Sequence, residues 1–296
     1  MIITKHSLES VKDKLLNELN SISFIQPYLQ RLLQRPYYYR IQQDNISIEY
    51  ISIRTLTQHK IKKILLRLIA VSNYFKITHP IRIWFIPCNI KRFFPKKKEP
   101  IDQEHINGAY TYTSNHTIFV YRLDEFPKVF IHELLHNSIL DTTIPEEQEL
   151  YPLFSIDQTN CNTYCKTQLR VNEAVIEAWA LMTHLQFVAS ESKKSFDDLL
   201  KDELEWSLYL CKKLKEYQEQ IYPVWKEFTH SYSYIRLKTC ILFFKDAFLK
   251  IKYPYTGKQI VNFFKKYNFD PTFEKAIQNA KDFKSNSFNM TVYGNY

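Results

Sequence analysis

The run Val129-Phe-Ile-His-Glu-Leu-Leu-His-Asn-Ser-Ile-Leu140 (VFIHELLHNSIL) sets two histidines and one glutamate in an otherwise largely apolar stretch. His132 and His136 are four residues apart, so at 3.6 residues per turn both imidazoles leave the same helix face about one turn apart. Two nitrogens so placed can share one cation. Zinc takes imidazole nitrogen and carboxylate oxygen in a tetrahedral shell, and a catalytic site keeps one position for water, beside which Glu133 would stand. The alternative is a structural histidine pair on a half-exposed helix, which leaves Glu133 without a task.

Upstream, Asp124 offers an N-cap and Glu125 and Pro127 suit a first turn, so a helix is expected from about residue 125 to 140. Before it, GAYTYTS (108–114) and HTIFVYR (116–122) read as two strands joined by a polar turn at Ser114-Asn115. Further back, Ile46 to Arg54 alternates at period two, Thr57 to Phe75 has a basic amphipathic helix pattern, and Ile81 to Pro87 reads as a buried strand. Strand, helix, strand suggests a crossover unit. Ser7 to about Arg35 carries apolar residues at helical spacing, with a break at Pro27.

Downstream, residues 141–166 hold Pro145 and Pro152 and no sustained period, so they are expected to form a long loop. From about Thr167 the pattern is helical nearly to residue 282, with breaks near Ser190, Pro223, Pro254 and Pro271. The segment RVNEAVIEAWALM, starting at Arg170, sets Glu173 and Glu177 on one side of a helix among Ala174, Val175, Ile176, Ala178, Trp179, Ala180 and Leu181. An ionised carboxylate in such surroundings is costly unless it binds a cation or accepts hydrogen bonds, and two together repel. A metal beside them answers both problems. The alternative, two exposed glutamates on a surface helix, conflicts with those apolar neighbours.

Over roughly residues 105–185 the chain resembles the gluzincin, or thermolysin-like, zinc metallopeptidases. His132-Glu-Leu-Leu-His136 matches the first motif, and Asn172-Glu173-Ala174 through Glu177 resembles the second. The resemblance implies one Zn2+ ion held by His132, His136 and Glu173, with Glu133 as general base in peptide hydrolysis. It also implies that Glu177 orients a ligand histidine, His132, by accepting its other ring N–H. Gly108, Ala109 and Tyr110 occupy the place of the strand that pairs with substrate backbone. Two departures stand out: Glu177 replaces an aspartate, and the connection between the motifs is longer. The family's downstream histidine motif has no clear match. In FTHSYSYIRLKT the cluster His230, Tyr232, Tyr234 and Arg236 supplies candidates for the oxyanion donor, Tyr234 first and His230 beside it. Surface aromatics are the alternative in a chain with 21 tyrosines. His184, eleven residues after Glu173, is read as core or as support for the site.

The expected fold is α+β and zincin-like. A helical segment (1–44) precedes an α/β lobe (45–140) with a small mixed sheet, flanking helices and the motif helix. An inserted loop (141–166) and an all-helical C-terminal lobe (167–296) carrying the third ligand follow. Three glycines, Gly108, Gly257 and Gly294, cannot write a dinucleotide fingerprint or a phosphate-binding P-loop. The net charge of +9 is dispersed apart from Lys91 to Lys98, read as a solvated loop in preference to a nucleic-acid patch. No apolar run is long enough for a membrane helix, and the first residues lack a secretory pattern, so an intracellular protein is expected. Five cysteines fit reduced thiols, though Cys161 and Cys165 alone could pair. The Ile, Lys, Asn, Tyr and Phe bias resembles an AT-rich genome, such as that of a large DNA virus or an AT-rich microbe. The substrate class expected is peptide or protein. The alternative function is a zincin-fold structural or virion-associated protein that retains zinc without peptidase activity.

Overall fold

Strands form where the side chains alternate and helices where they repeat at 3.6. The computed structural model describes all residues except 52–57, 96–98, 155–168, 220–227, 286, 295 and 296. In chain order the first strands and helices are β1 (Ile2–Ser7), α1 (Glu9–Leu19), α2 (Gln26–Leu32), β2 (Tyr37–Gln43), β3 (Ile46–Ile51), α3 (Gln58–Tyr74), β4 (Ile81–Cys88), α4 (Gln103–Ile106), β5 (Ala109–Tyr112), β6 (Thr117–Arg122) and α5 (Phe126–Leu135). The six strands make one mixed sheet in the order β1-β2-β3-β4-β6-β5. The chain divides into two units, the first comprising Met1–Lys91 and Gly108–Ser138, the second Arg92–Asn107 and Ile139–Gly294.

In the first unit the expected crossover is present, because β3 and β4 run parallel with Ile46 opposite Ile81 and α3 between them in sequence. The hairpin is present too, with β5 antiparallel to β6 and Ala109 opposite Val120. Strand β4 is buried on both faces. Trp84 and Ile86 join Phe119 and Tyr121 in a cluster with Leu15, Leu19 and Leu29 of α1 and α2. On the other face Phe85 stacks on Phe126 at 4.9 Å and meets Phe130 edge-on at 5.2 Å, which fastens α5 to the sheet. Such ring pairs add roughly 0.5–1.5 kcal/mol each beyond the area they bury.

Three expectations differ from the structure. Residues 1–44 hold α1 and α2, but also strands β1 and β2, which pair antiparallel with Ile3 opposite Ile41. The N-cap of α5 is Glu125, in the left-handed region at φ 58°, with no side-chain cap bond. Asp124 instead accepts from Lys91 Nζ at 3.0 Å. The helix is also shorter than read, with His136 already its C-cap.

The second unit is helical apart from its connecting segments. After a 3-10 turn at Pro145–Leu150 come α6 (Val171–Glu191), α7 (Phe196–Glu219), a π-helical turn at Tyr232–Leu237 leading into α8 (Lys238–Phe243), α9 (Lys245–Phe248), α10 (Gly257–Tyr267) and α11 (Pro271–Gln278). Leu181 and Leu185 of α6, Leu199 and Leu200 of α7, and Leu242 of α8 share one apolar cluster. Residues 283–285 and 287–293 form a strap bonded to α7. Tyr209 Oη reaches the carbonyls of Phe283 and Ser285 at 3.1 and 3.0 Å, and Trp206 Nε1 donates to Asn289 O at 2.8 Å. Cys88, Cys211 and Cys240 are buried free thiols, whereas Cys161 and Cys165 lie outside the described residues, as do Lys96 to Lys98. No helix among the described residues is long and apolar enough to cross a membrane.

The strap also carries a pH-sensitive clasp. Asp202 accepts from Tyr293 Oη and from Lys194 Nζ at 2.9 Å, and these bonds hold its carboxyl below the usual 3.8. A carboxylate whose folded value is depressed contributes stability above its unfolded value and loses it as pH falls through the folded one. Tyrosine fluorescence and near-UV circular dichroism are therefore expected to report loosening of the Tyr293 end only below about pH 4, and Asp202→Asn should remove that acid transition.

Candidate metal centre

All ten residues of α5 are buried, including His132 and Glu133, each 6% exposed. A helix this apolar retains ionisable side chains only where they have partners. The two imidazoles stand with ring centroids 5.0 Å apart and planes at 71°, and their Nε2 atoms approach to 3.3 Å. Two nitrogens bound to one tetrahedral zinc at about 2.0–2.1 Å would be roughly 3.3–3.4 Å apart. The pair thus has the spacing of two ligands on a common ion. A hydrogen bond between the two rings gives the same approach, so the pair fits a bound ion and does not by itself show one.

The Glu133 carboxylate is fixed by a residue that the sequence reading passed over. Thr111 Oγ1 donates to Glu133 Oε2 at 2.6 Å and lies 3.2 Å from the Glu133 carbonyl oxygen. Strand β5 is at one edge of the sheet, and its alternation sends Tyr110 and Thr111 to opposite faces. Tyr110 stacks on Phe119 at 5.2 Å, its hydroxyl donates to Glu18 O at 3.3 Å, and burial raises its pKa strongly. Its side chain is committed to the α1 side. Of the residues expected to meet a substrate backbone, Gly108 has its carbonyl engaged by the N–H groups of Tyr121 and Arg122 at 3.0 and 3.2 Å.

In the second unit Glu173 lies in the first turn of α6, with its N–H donating to Arg170 O at 3.1 Å. A carboxylate there also gains from the helix dipole. Glu177, one turn on, is 2% exposed. The helix start is held by Glu147, from the 3-10 turn in the loop whose role the sequence left open. Its Oε2 accepts from Val171 N–H at 3.1 Å, and burial raises its pKa. Asn172 Nδ2 donates to Asp141 Oδ1 at 2.9 Å beside it. His184 belongs to the core, fully buried, with Nε2 donating to Tyr293 O at 3.0 Å.

The four residues offered as oxyanion donors separate into two pairs. Tyr232 and Arg236 are buried and both bond to Asn268, so their polar atoms are engaged inside the second unit. His230 and Tyr234 are half-buried, with rings 6.0 Å apart and Tyr234 N–H donating to His230 O at 2.9 Å. No family model, no curated protein and no solved structure matches the chain.

Proposed function

We propose that the chain is a zinc-dependent metallopeptidase in which His132, His136 and Glu173 hold one Zn2+ ion and Glu133 is the general base. The observation that carries this reading is the 3.3 Å between His132 Nε2 and His136 Nε2, the spacing of two tetrahedral zinc ligands. A carboxylate anchored on the adjacent residue supports it. Glu177 is assigned to orienting a ligand histidine. The zincin-like character of the α+β fold is part of the same proposal, and so are an intracellular location and a peptide or protein substrate.

Zinc at this position supplies Lewis-acid polarisation of a carbonyl and an acidified water. The chain's own residues do the rest. Glu133 takes the water proton and passes it to the leaving amine. The Thr111 hydroxyl occupies Oε2 and so directs proton uptake to Oε1. Tyr234, with His230 against its ring, is the proposed donor to the developing oxyanion.

Metal analysis of the purified chain together with a peptide-library digest tests the proposal. One zinc per chain and chelator-sensitive cleavage are expected, with His136→Ala losing both. Zinc without cleavage of any library peptide would sink the peptidase reading, and no zinc uptake at all would sink the metal site as well. Thr111→Val is expected to lower kcat about tenfold by freeing the base from its productive position, with KM near the parent value and recovery in Thr111→Ser. Steady-state kinetics decides it. A change confined to KM would assign Thr111 to substrate contact instead.

A further inference from the structure

Helices α7 and α11 and the π-helical turn enclose a cavity of about 380 Å3 inside the second unit. That is within the usual range of small-molecule sites, roughly 300–1,000 Å3. Leu214, Lys215, Tyr232, Arg236, Phe269 and Glu274 line it. Tyr232 and Arg236, four residues apart, stand on one wall, and they lie in the π turn, a kind of turn that concentrates at functional sites.

Arg236 is the deep polar point, 7% exposed. Its Nε donates to Asn268 Oδ1 at 3.2 Å, and its Nη2 donates to Asn268 O at 2.5 Å and to Glu274 Oε1. The guanidinium carbon lies 5.0 Å from the centre of the Phe273 ring and 5.8 Å from that of Phe269. Those bonds use Nε and Nη2, and Nη1 has no hydrogen-bond partner among the described residues. Arg236 stands on the cavity wall, and the free nitrogen of a guanidinium suits a planar carboxylate.

The rest of the wall combines Leu214, Tyr232 and Phe269 with one further cation, Lys215, and two carboxylates, Glu219 and Glu274. Tyr232 accepts from Asn268 Nδ2 at 3.2 Å, and burial pushes its phenol up to about 12. Lys215, with its side chain 42% exposed, stands at the solvent end, 3.8 Å from Glu274 Oε2 and 3.8 Å from Glu219 Oε1. Glu274 thus faces two cations, and Glu219, 65% exposed, is largely screened by water. The pocket has an apolar body, a deep guanidinium of which one nitrogen is bound to Glu274, and Lys215 toward solvent between Glu274 and Glu219.

We infer that this cavity binds a small monocarboxylate with an apolar or aromatic body, its carboxylate on Arg236 Nη1 and its body against Leu214, Tyr232 and Phe269. The site lies wholly in the second unit and stands whether or not the chain is a peptidase.

Calorimetric titration of the full chain with 4-phenylbutyrate, indole-3-acetate and octanoate, and with the matching neutral amides, tests this. At least one acid is expected to bind with a sub-millimolar Kd, at least tenfold tighter than its amide. Arg236→Lys, which keeps the charge and loses the fork, should weaken that acid at least tenfold. Since Arg236 is buried, Lys215→Ala at the solvent end serves as the second variant. It should weaken the acid severalfold with an unchanged circular dichroism spectrum and melting curve. Failure of all three acids at millimolar concentration overturns the inference. Equal binding of acid and amide overturns it too, as does acid binding indifferent to both substitutions.

Discussion

Replacing Glu133 by glutamine is expected to cut peptide hydrolysis by roughly two to four orders of magnitude, the share general-base catalysis commonly carries, while zinc content stays at one ion per chain. Glutamine has nearly the same shape, and its side-chain oxygen can still accept from Thr111 Oγ1, which now reaches Glu133 Oε2 at 2.6 Å. Its nitrogen cannot take a proton. The neighbouring imidazoles keep their 3.3 Å approach because they depend on the helix turn and not on the intervening carboxylate. Zinc analysis beside single-turnover rates therefore separates a lost base from a lost fold. Residual cleavage would come from positioning and carbonyl polarisation, since removing one member of such a set seldom removes all of its rate effect. Parent-level hydrolysis by the glutamine variant would exclude Glu133 as the base.

The parts of this site that were legible in the sequence depend on local spacing. His132 and His136 share a helix face by arithmetic, and the observed approach of their rings follows from it. Glu173 and Glu177 stand out because apolar helices rarely carry two carboxylates. The crossover of β3, α3 and β4 was readable because its elements keep their own periods over six to seventeen residues.

What was not legible depends on partners distant in sequence or on a broken period. Strand β1 is an edge strand, mostly exposed, and its pairing with β2 some thirty-five residues on leaves little alternation to read. Asp124 looked like a cap until Lys91, 33 residues earlier, is seen to hold it. Thr111 could have been found from the alternation of β5 alone, given that Tyr110 packs on Phe119, but choosing the face requires the register. Glu147 caps α6 from 24 residues away, across a segment with no period. The cluster from His230 to Arg236 offered four candidates with no signal to separate them, because the burial of Tyr232 and Arg236 depends on Asn268, more than thirty residues on.

Glu203→Ala is expected to destabilise the second unit by roughly 2–4 kcal/mol, the scale for polar groups that lose a shared acceptor at about 1–3 kcal/mol each. Glu203 is fully buried on α7, and its Oε1 accepts from the Thr291 hydroxyl and from the N–H groups of Val292 and Tyr293 at 2.9 and 3.3 Å. Alanine would take that acceptor from the buried Thr291 hydroxyl and from two amides, of which the Tyr293 N–H keeps Thr291 Oγ1 at 3.1 Å, and each group left unpaired costs about 1–3 kcal/mol. The strap cannot shift to recover them cheaply, because Trp206 and Tyr209 fix it at Asn289 and at Phe283 and Ser285. Glu203→Gln keeps one acceptor oxygen and loses the charge, so about a third of that cost is expected from it, near the worth of a charge-assisted bond over a neutral one. Urea unfolding gives both numbers, and limited proteolysis should show the strap cut first in the alanine variant. An alanine variant that unfolds at the parent midpoint with an intact C-terminal strap would mean that the tyrosine and tryptophan anchors alone hold the segment.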